Sequence, residues 1–331
     1  GYKYMSNQPP IGVPQGAIRL NTDSQRLEFY AQDRWYEMAT DVPTLDGGAR
    51  AVSQASTPST NAIDLVTIST AGNATDFGDA ATALTGRYGA SSRTRGIFAG
   101  GGTPSRVNNI EFITFSSTGN GTNFGDLTVT RSGGGQMGLS NQTRGVFGDG
   151  SVDPNNSNVI DFVTIASTGD AKDFGDTQSA QGGKNCFASP TRGIMAGGQP
   201  NTTPIEFITI ATTGNSHDFG DLIDSQRFMG TGSSATRGVW MGGRTSGSPS
   251  GSQHVQYIQI QTLGNAIDFG SLLAAKDDLG GCSDCIRALA YGGGSNVIEY
   301  ITLATGGGTV NFGDGQTASG YTCLSNGHGG L

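Results

Sequence analysis

The chain has 331 residues, 55 of them Gly, with a formal net charge of −8 and only 14% charged residues. Nineteen thinly spread Lys and Arg leave no basic footprint for nucleic acid. No apolar run approaches the ~20 residues of a membrane helix. With Gly counted and Tyr left out, apolar residues make up about 48%, the usual share for a packed domain of small residues and tight turns. Position 1 is Gly rather than an initiator Met, so the expectation is that earlier residues were processed or omitted, and GYKYMSNQPP has no charged-then-apolar signal pattern.

Residues 1–45 stand apart from the rest of the chain. NQPPIGVPQG reads as an extended Pro-containing connector. GAIRL (16–20), RLEFY (26–30) and RWYEM (34–38) read as three short strands joined by NTDSQ and AQD. Ile18, Leu20, Leu27, Phe29, Trp35 and Tyr36 are the expected apolar face. A unit this small needs a staple or a partner, so it is expected to dock on the rest of the chain, a second copy or a larger assembly.

From residue 46 onward one motif dominates. NAIDLVTISTAGNATDFGD (61–79) returns without a gap at 108–126, 158–176, 203–221, 253–271 and 296–314. A shorter unit precedes each copy: TRGIFAGG, TRGVFGDG, TRGIMAGG, TRGVWMGG, IRALAYGG and the degenerate ARAVSQA. Its Arg falls at 50, 95, 144, 192, 237 and 287, a period near 48. That period fits a four-stranded propeller blade rather than a helical array. RGIFAGG reads as an apolar strand, IEFITI as a β-branched and aromatic strand, and DFGD as a short outer strand behind a polar turn. The Gly-rich RYGASS, GQMGLSN, KNCFASP and YTCLSNG read as innermost strands. The first repeat lacks one, and YTCLSNG (321–327) is left over at the C-terminus, so it is expected to complete the first blade. Closure of this kind removes free sheet edges. The expected fold is therefore all-β: a six-bladed β-propeller of four-stranded antiparallel blades over 46–331, with the first blade closed by the C-terminal strand. A small N-terminal β-meander and linker occupy 1–45.

The motifs carry little catalytic chemistry. DFG recurs six times as DFG or NFG, without the Gly-rich loop and Lys of a kinase, so it reads as a buried Phe, a turn Gly and carboxylates bonding backbone amides. The recurrent acid (Asp64, Glu111, Asp161, Glu206, Glu299, with Gln256 deviating) is expected to pair with the recurrent Arg or to satisfy backbone groups, because too few oxygen ligands accompany it for calcium. Cys282 and Cys285 form a lone CxxC without the second ligand pair of a zinc site. Cys186, Cys282 and Cys323 fall in inner strands and read as buried thiols, with a Cys282–Cys323 disulfide left open. No GxSxG elbow and no Ser/His/Asp set is present. The expectation is no catalytic residue, no metal and no cofactor.

Variation is one-sided. The turn between third and outer strands has constant length, whereas the second-to-third connections QASTPST, GGTPSRVN, DGSVDPNNS, GGQPNTT, GGRTSGSPSGSQ and GGGS all differ. Loops on a rigid scaffold are the usual place for recognition. The expected receptor-binding residues are Thr103, Ser105, Arg106, Asp153, Asn155, Asn156, Asn201, Thr202, Arg244, Ser248, Ser250 and His254.

The succession of strand, Gly-Gly, strand, aromatic residue, short loop and Arg (Arg87, Arg131, Arg227) resembles kelch-type propellers, with Phe-Gly where kelch has Trp. Over residues 50–331, NVIDFVTIASTG…DFGD followed by TRG(I/V)(F/M)xGG looks like repeats in virion structural proteins of tailed phages infecting marine cyanobacteria. GAIRLNTDSQRLEFY…RWYEM similarly resembles a short module of phage tail-fibre and other virion proteins. The resemblance implies a virion component, a tail fibre, fibre-tip adhesin or capsid-attached fibre, located on the virion outside the host cell. Residues 1–45 would bind other virion proteins, and the loop face a host-surface glycan or protein. Composition leads to the expectation of no nucleic acid and no membrane insertion, and a second copy of the chain is a further expected partner. The alternatives are an architectural spacer binding only virion proteins and, less favoured, a propeller glycan hydrolase, which would need paired carboxylates and lacks a sialidase-type Asp box.

Overall fold

The computed structural model describes residues 12–21, 26–37, 49–133, 138–246 and 251–331, and every regular element among them is a β-strand. The chain divides into two compact units, Gly1–Gly47 and Gly48–Leu331.

In the first unit, Ile18–Asn21, Arg26–Ala31 and Arg34–Glu37 form an antiparallel meander. Ile18 lies opposite Phe29 and Leu20 opposite Leu27, and the Phe29 and Tyr36 rings stack at 5.5 Å. Trp35 is a correction to the expected apolar face. Strand alternation puts it with Tyr30 (5.2 Å) and beneath the Arg19 guanidinium (4.2 Å), on the other side. Met38 lies outside the described residues.

In the second unit each repeat is an antiparallel run of inner, second, third and outer strands. Repeat 4 shows the order: Asn185–Ala188, Arg192–Ala196, Thr202–Thr209 and His217–Arg227. Second strands such as Arg192–Ala196 are apolar at successive positions because both their faces are buried. The strand Val310–Ser325 serves two repeats. Its first half pairs with Ser295–Thr302 as the outer strand of repeat 6. Its second half pairs with Arg50–Thr57, with Tyr321 opposite Ala55 and Ser325 opposite Ala51, as the inner strand of repeat 1.

The core consists of apolar clusters between consecutive repeats. Val52 and Phe77 of repeat 1 meet Phe98 and Ile113 of repeat 2. Leu289, Tyr291 and Phe312 of repeat 6 meet Ala51, Val66 and Ile68 of repeat 1. Four further clusters fill the joints between them. Each fully buried Phe or Ile contributes about 1.5–3 kcal/mol.

Three polar devices repeat at the joints. The Arg that opens each second strand donates to a carbonyl at the end of the next repeat's third strand: Arg50 to Phe115 (2.6 Å), Arg144 to Ile210 (2.8 Å), Arg192 to Ile260 (3.0 Å). Arg287 of repeat 6 donates to Ile68 of repeat 1 (3.1 Å), so the series returns to its start. The Gly of each DFG or NFG motif is the second device. It sits inside the outer strand at a register shift, not in a turn as expected. A Cβ on Gly78 would lie 2.5 Å from the Gly119 carbonyl oxygen, and one on Gly313 2.1 Å from that of Gly72. Only glycine permits this approach of neighbouring backbones. The Asx residue after that second glycine accepts from the amide of the motif's last Asp, as Asn120 does from Asp79 (3.0 Å) and Asn73 from Asp314 (3.0 Å).

The recurrent acid is the third device. It pairs not with the strand-opening Arg but with a residue leading into an inner strand: Glu111 with Arg87 (3.4 Å), Asp161 with Arg131 (2.9 Å), Glu206 with Lys184 (2.9 Å) and Glu299 with Lys276 (2.6 Å). Gln256, which departs from the acidic pattern, accepts the Ile223 amide (2.8 Å) and donates to Gln226 (2.6 Å). Asp64 is bonded by Gln316. The acids also accept amides of the preceding repeat, Ala81 to Glu111 (3.0 Å) and Leu273 to Glu299 (2.9 Å), so at these joints one side chain spans both repeats.

Candidate functional site

Two kinds of connection share one face. The second-to-third loops hydrogen-bond to the segments leading into inner strands, as at Thr85 with Gly102, Ser132 with Ser151, and Gly182 with Gln199. The varied loops are tied sideways to their neighbours. Arg106 of repeat 2 forms an ion pair with Asp153 of repeat 3 and donates to Ser132 (3.2 Å). Asn156 donates to the Gln199 carbonyl (3.5 Å), and Asn201 to Ser246 (3.4 Å). Arg244 donates through Nε to Asp277 (2.9 Å) and lies 3.3 Å from Asp278.

The expected binding residues distribute unevenly over this face. Thr103, Ser105, Asp153 and Asn155 are exposed, and Arg106, Asn156, Asn201 and Arg244 are half-buried ties between loops. Thr103 shares a hydrogen bond with Thr85 (3.2 Å). Thr202 belongs to the third strand, opposite Gln226. Ser248 and Ser250 lie outside the described residues. His254 is in the strand Ser252–Gln259, not in a loop, and its ring spans Asp224 (3.0 Å) and Asp268 (2.9 Å) of two outer strands.

The inner strands of all six repeats surround one small cavity of about 40 Å³, lined also by His328. A ladder of serines joins them: Ser91 donates to the Ser325 carbonyl (2.8 Å), Ser233 to that of Ala188 (2.9 Å), and Ser283 Oγ accepts the Ser233 amide (2.9 Å). His328 accepts the Gly330 amide (3.1 Å), and burial pushes its imidazole down to about 4, so it is neutral at physiological pH. Cys186, Cys282 and Cys323 are buried thiols outside any disulfide, with Cys282 pushed up to about 12 by burial, which makes them poor nucleophiles.

On the loop face, segments leading into inner strands enclose a larger cavity of about 250 Å³. Ser56, Thr85, Arg87, Phe228, Asp278 and Tyr321 contribute to its wall. Arg87 is 1% exposed, and its Nε and Nη1 have no hydrogen-bond partner. Burial, and then the neighbouring Asp277, push the Asp278 carboxyl above its ordinary range.

Sequence reasoning missed Phe228, Asp278 and Tyr321, although a signal exists in the strand pairing. Tyr88, Asn185, Gly230, Gly280 and Thr322 occupy one position, opposite Ala99, Ala196, Met241, Tyr291 and Gln54. Two residues earlier the chain is left-handed in all five repeats: Gly86 (φ 60°), Gly183 (70°), Phe228 (56°), Asp278 (50°) and Gly320 (68°). Repeats 5 and 6 thus place side chains where the other three have glycine.

No protein-family model matches the chain, and no curated protein matches it. Among the described residues no group of three or more His, Cys, Asp or Glu is arranged to hold a metal ion.

Proposed function

We propose that the six repeats are the blades of a closed β-propeller and that the chain is a virion structural protein of a tailed phage. In this reading it is a tail fibre or fibre-tip adhesin whose loop face binds a host-surface receptor. The observation that carries it is the contrast between joints and loops. The joints reuse the same Arg, Gly and Asx contacts, while the second-to-third loops change length and sequence and are still held side by side. A stiff frame presenting varied loops is suited to recognition. Return of the joint contacts from repeat 6 to repeat 1 supports the closed ring. Residues 1–45 are the attachment to other virion proteins. Ile18 (63% exposed) and Leu20 (60%) leave apolar surface of the kind that contacts a partner.

The test is binding of the fluorescently labelled protein to a panel of marine cyanobacterial cells. Saturable binding to some strains is expected, lost when the loops around Pro154 and Pro249 are exchanged for those of other repeats. Absence of binding to every strain, or binding indifferent to the exchange, would overturn the adhesin reading.

A further inference from the structure

Among the described residues, Phe228 and Asp278 are the two that are not glycine at the left-handed position before an inner strand, and both line the loop-face cavity. A bulky L-residue there is strained, Phe more than Asp, and such strain persists where the side chain is needed. The surroundings are adapted to the ring. A Cβ on Gly183 would lie 2.3 Å from the Phe228 ring, so glycine at 183 makes its room. The Arg227 and Arg244 guanidinium groups lie 5.2 and 5.8 Å from its centre.

The cavity therefore combines three elements: an aromatic ring, a half-buried carboxylate, and the hydroxyl side chains of Ser56 and Thr85. A carboxylate accepts from vicinal hydroxyls, a hydroxyl side chain donates to or accepts from ring and hydroxyl groups, and an aromatic face covers the C–H side of a sugar. The volume of about 250 Å³ is just below the ~300 Å³ lower end for small-ligand sites, which suits a single ring. We propose that this cavity binds one pyranose unit of a glycan, with Phe228 as the stacking platform and Asp278 as hydroxyl acceptor. The proposal rests on the adhesin reading for its biological meaning, since it makes the receptor a surface polysaccharide.

Saturation-transfer NMR of the full chain with methyl glucopyranoside, mannopyranoside, galactopyranoside and glucuronoside tests it. Transfer to at least one glycoside is expected. Phe228→Gly and Asp278→Gly restore the residue of the other repeats, so both are expected to hold or raise Tm while weakening binding at least tenfold. Asp278→Asn, which tolerates the same backbone, carries the test should a glycine variant fail to fold. No transfer to any of the four, or undiminished binding in the folded variants, would overturn the proposal. Cell binding by a protein that takes none of the four glycosides removes the pocket assignment and leaves the adhesin reading. Glycoside binding without cell binding does the reverse.

Discussion

Repeats 3 and 5 fill the same structural slot with different chemistry. In repeat 3 it holds Arg131 and Asp161, both fully buried and 2.9 Å apart. In repeat 5 it holds Gln226 and Gln256, 2.6 Å apart and equally buried. Both partners change together, from ion pair to amide pair, and Asp161 and Gln256 each still accept an amide of the preceding repeat. The slot demands complementary hydrogen bonding and tolerates either charge state, because an unsatisfied buried group costs more than the pair itself yields.

Breaking one partner should have the largest effect. Asp161→Ala leaves Arg131 as a buried, unpaired cation and is expected to cost about 3–5 kcal/mol by urea unfolding. Gln256→Glu alone should be comparably harmful. Adding Gln226→Lys transplants the Lys276–Glu299 pair of repeat 6 and should restore most of the loss. A double variant no better than Gln256→Glu would show that the slots are not interchangeable.

The joint between repeats 3 and 4 sharpens the comparison, because there one cation faces two carboxylates. Lys184 lies 3.0 Å from Asp149 and 2.9 Å from Glu206, and burial pushes Asp149 up to about 6 from 3.8. A raised carboxyl pKa means that the folded state holds the proton more tightly than the unfolded chain. This group's contribution therefore becomes more stabilising as pH falls from 7 to about 4. Asp149→Asn should stabilise the protein at pH 7, by at most ~3 kcal/mol, with the advantage vanishing near pH 4. Parallel urea titrations at the two pH values measure it, and a pH-independent difference would contradict the assignment.

Smaller effects separate the shared joint contacts from the loop ties. Asn215→Ala removes the acceptor of the Asp176 amide (3.0 Å) and should cost about 1 kcal/mol in thermal unfolding. Arg106→Ala breaks the half-exposed tie to Asp153 and should change stability by less than ~1 kcal/mol. On the adhesin reading it nonetheless lowers cell binding, which a purely structural tie would leave untouched.

The strands of the repeat and the pairing of residues 321–325 with repeat 1 are legible in the sequence because hydrophobic period and motif spacing are local signals. The partners of the recurrent acids are not. Arg87 immediately precedes the aligned inner-strand position, Lys276 stands four residues before it, and Gln316 six. That drift, together with the exchange of Arg, Lys and Gln, erases any motif. His254 reads as a loop residue because the Ser-rich segment before it looks irregular, but pairing of Ser252 with Lys276 extends the strand. The cavity is hidden for a related reason. Phe228 and Asp278 come directly after long outer strands, and only the backbone reveals that they share a left-handed position with glycines.

The double use of Val310–Ser325 has a mechanical consequence. Ala51 and Ser325 face each other at one end of the ladder that joins repeat 1 to the end of the chain. Just beyond them the Arg50 amide donates to Asn326 Oδ1 (2.7 Å), and the Asn326 amide to the Arg50 carbonyl (3.1 Å). Tension applied across Arg50 and Asn326 therefore peels this ladder one pair at a time instead of loading all its bonds at once.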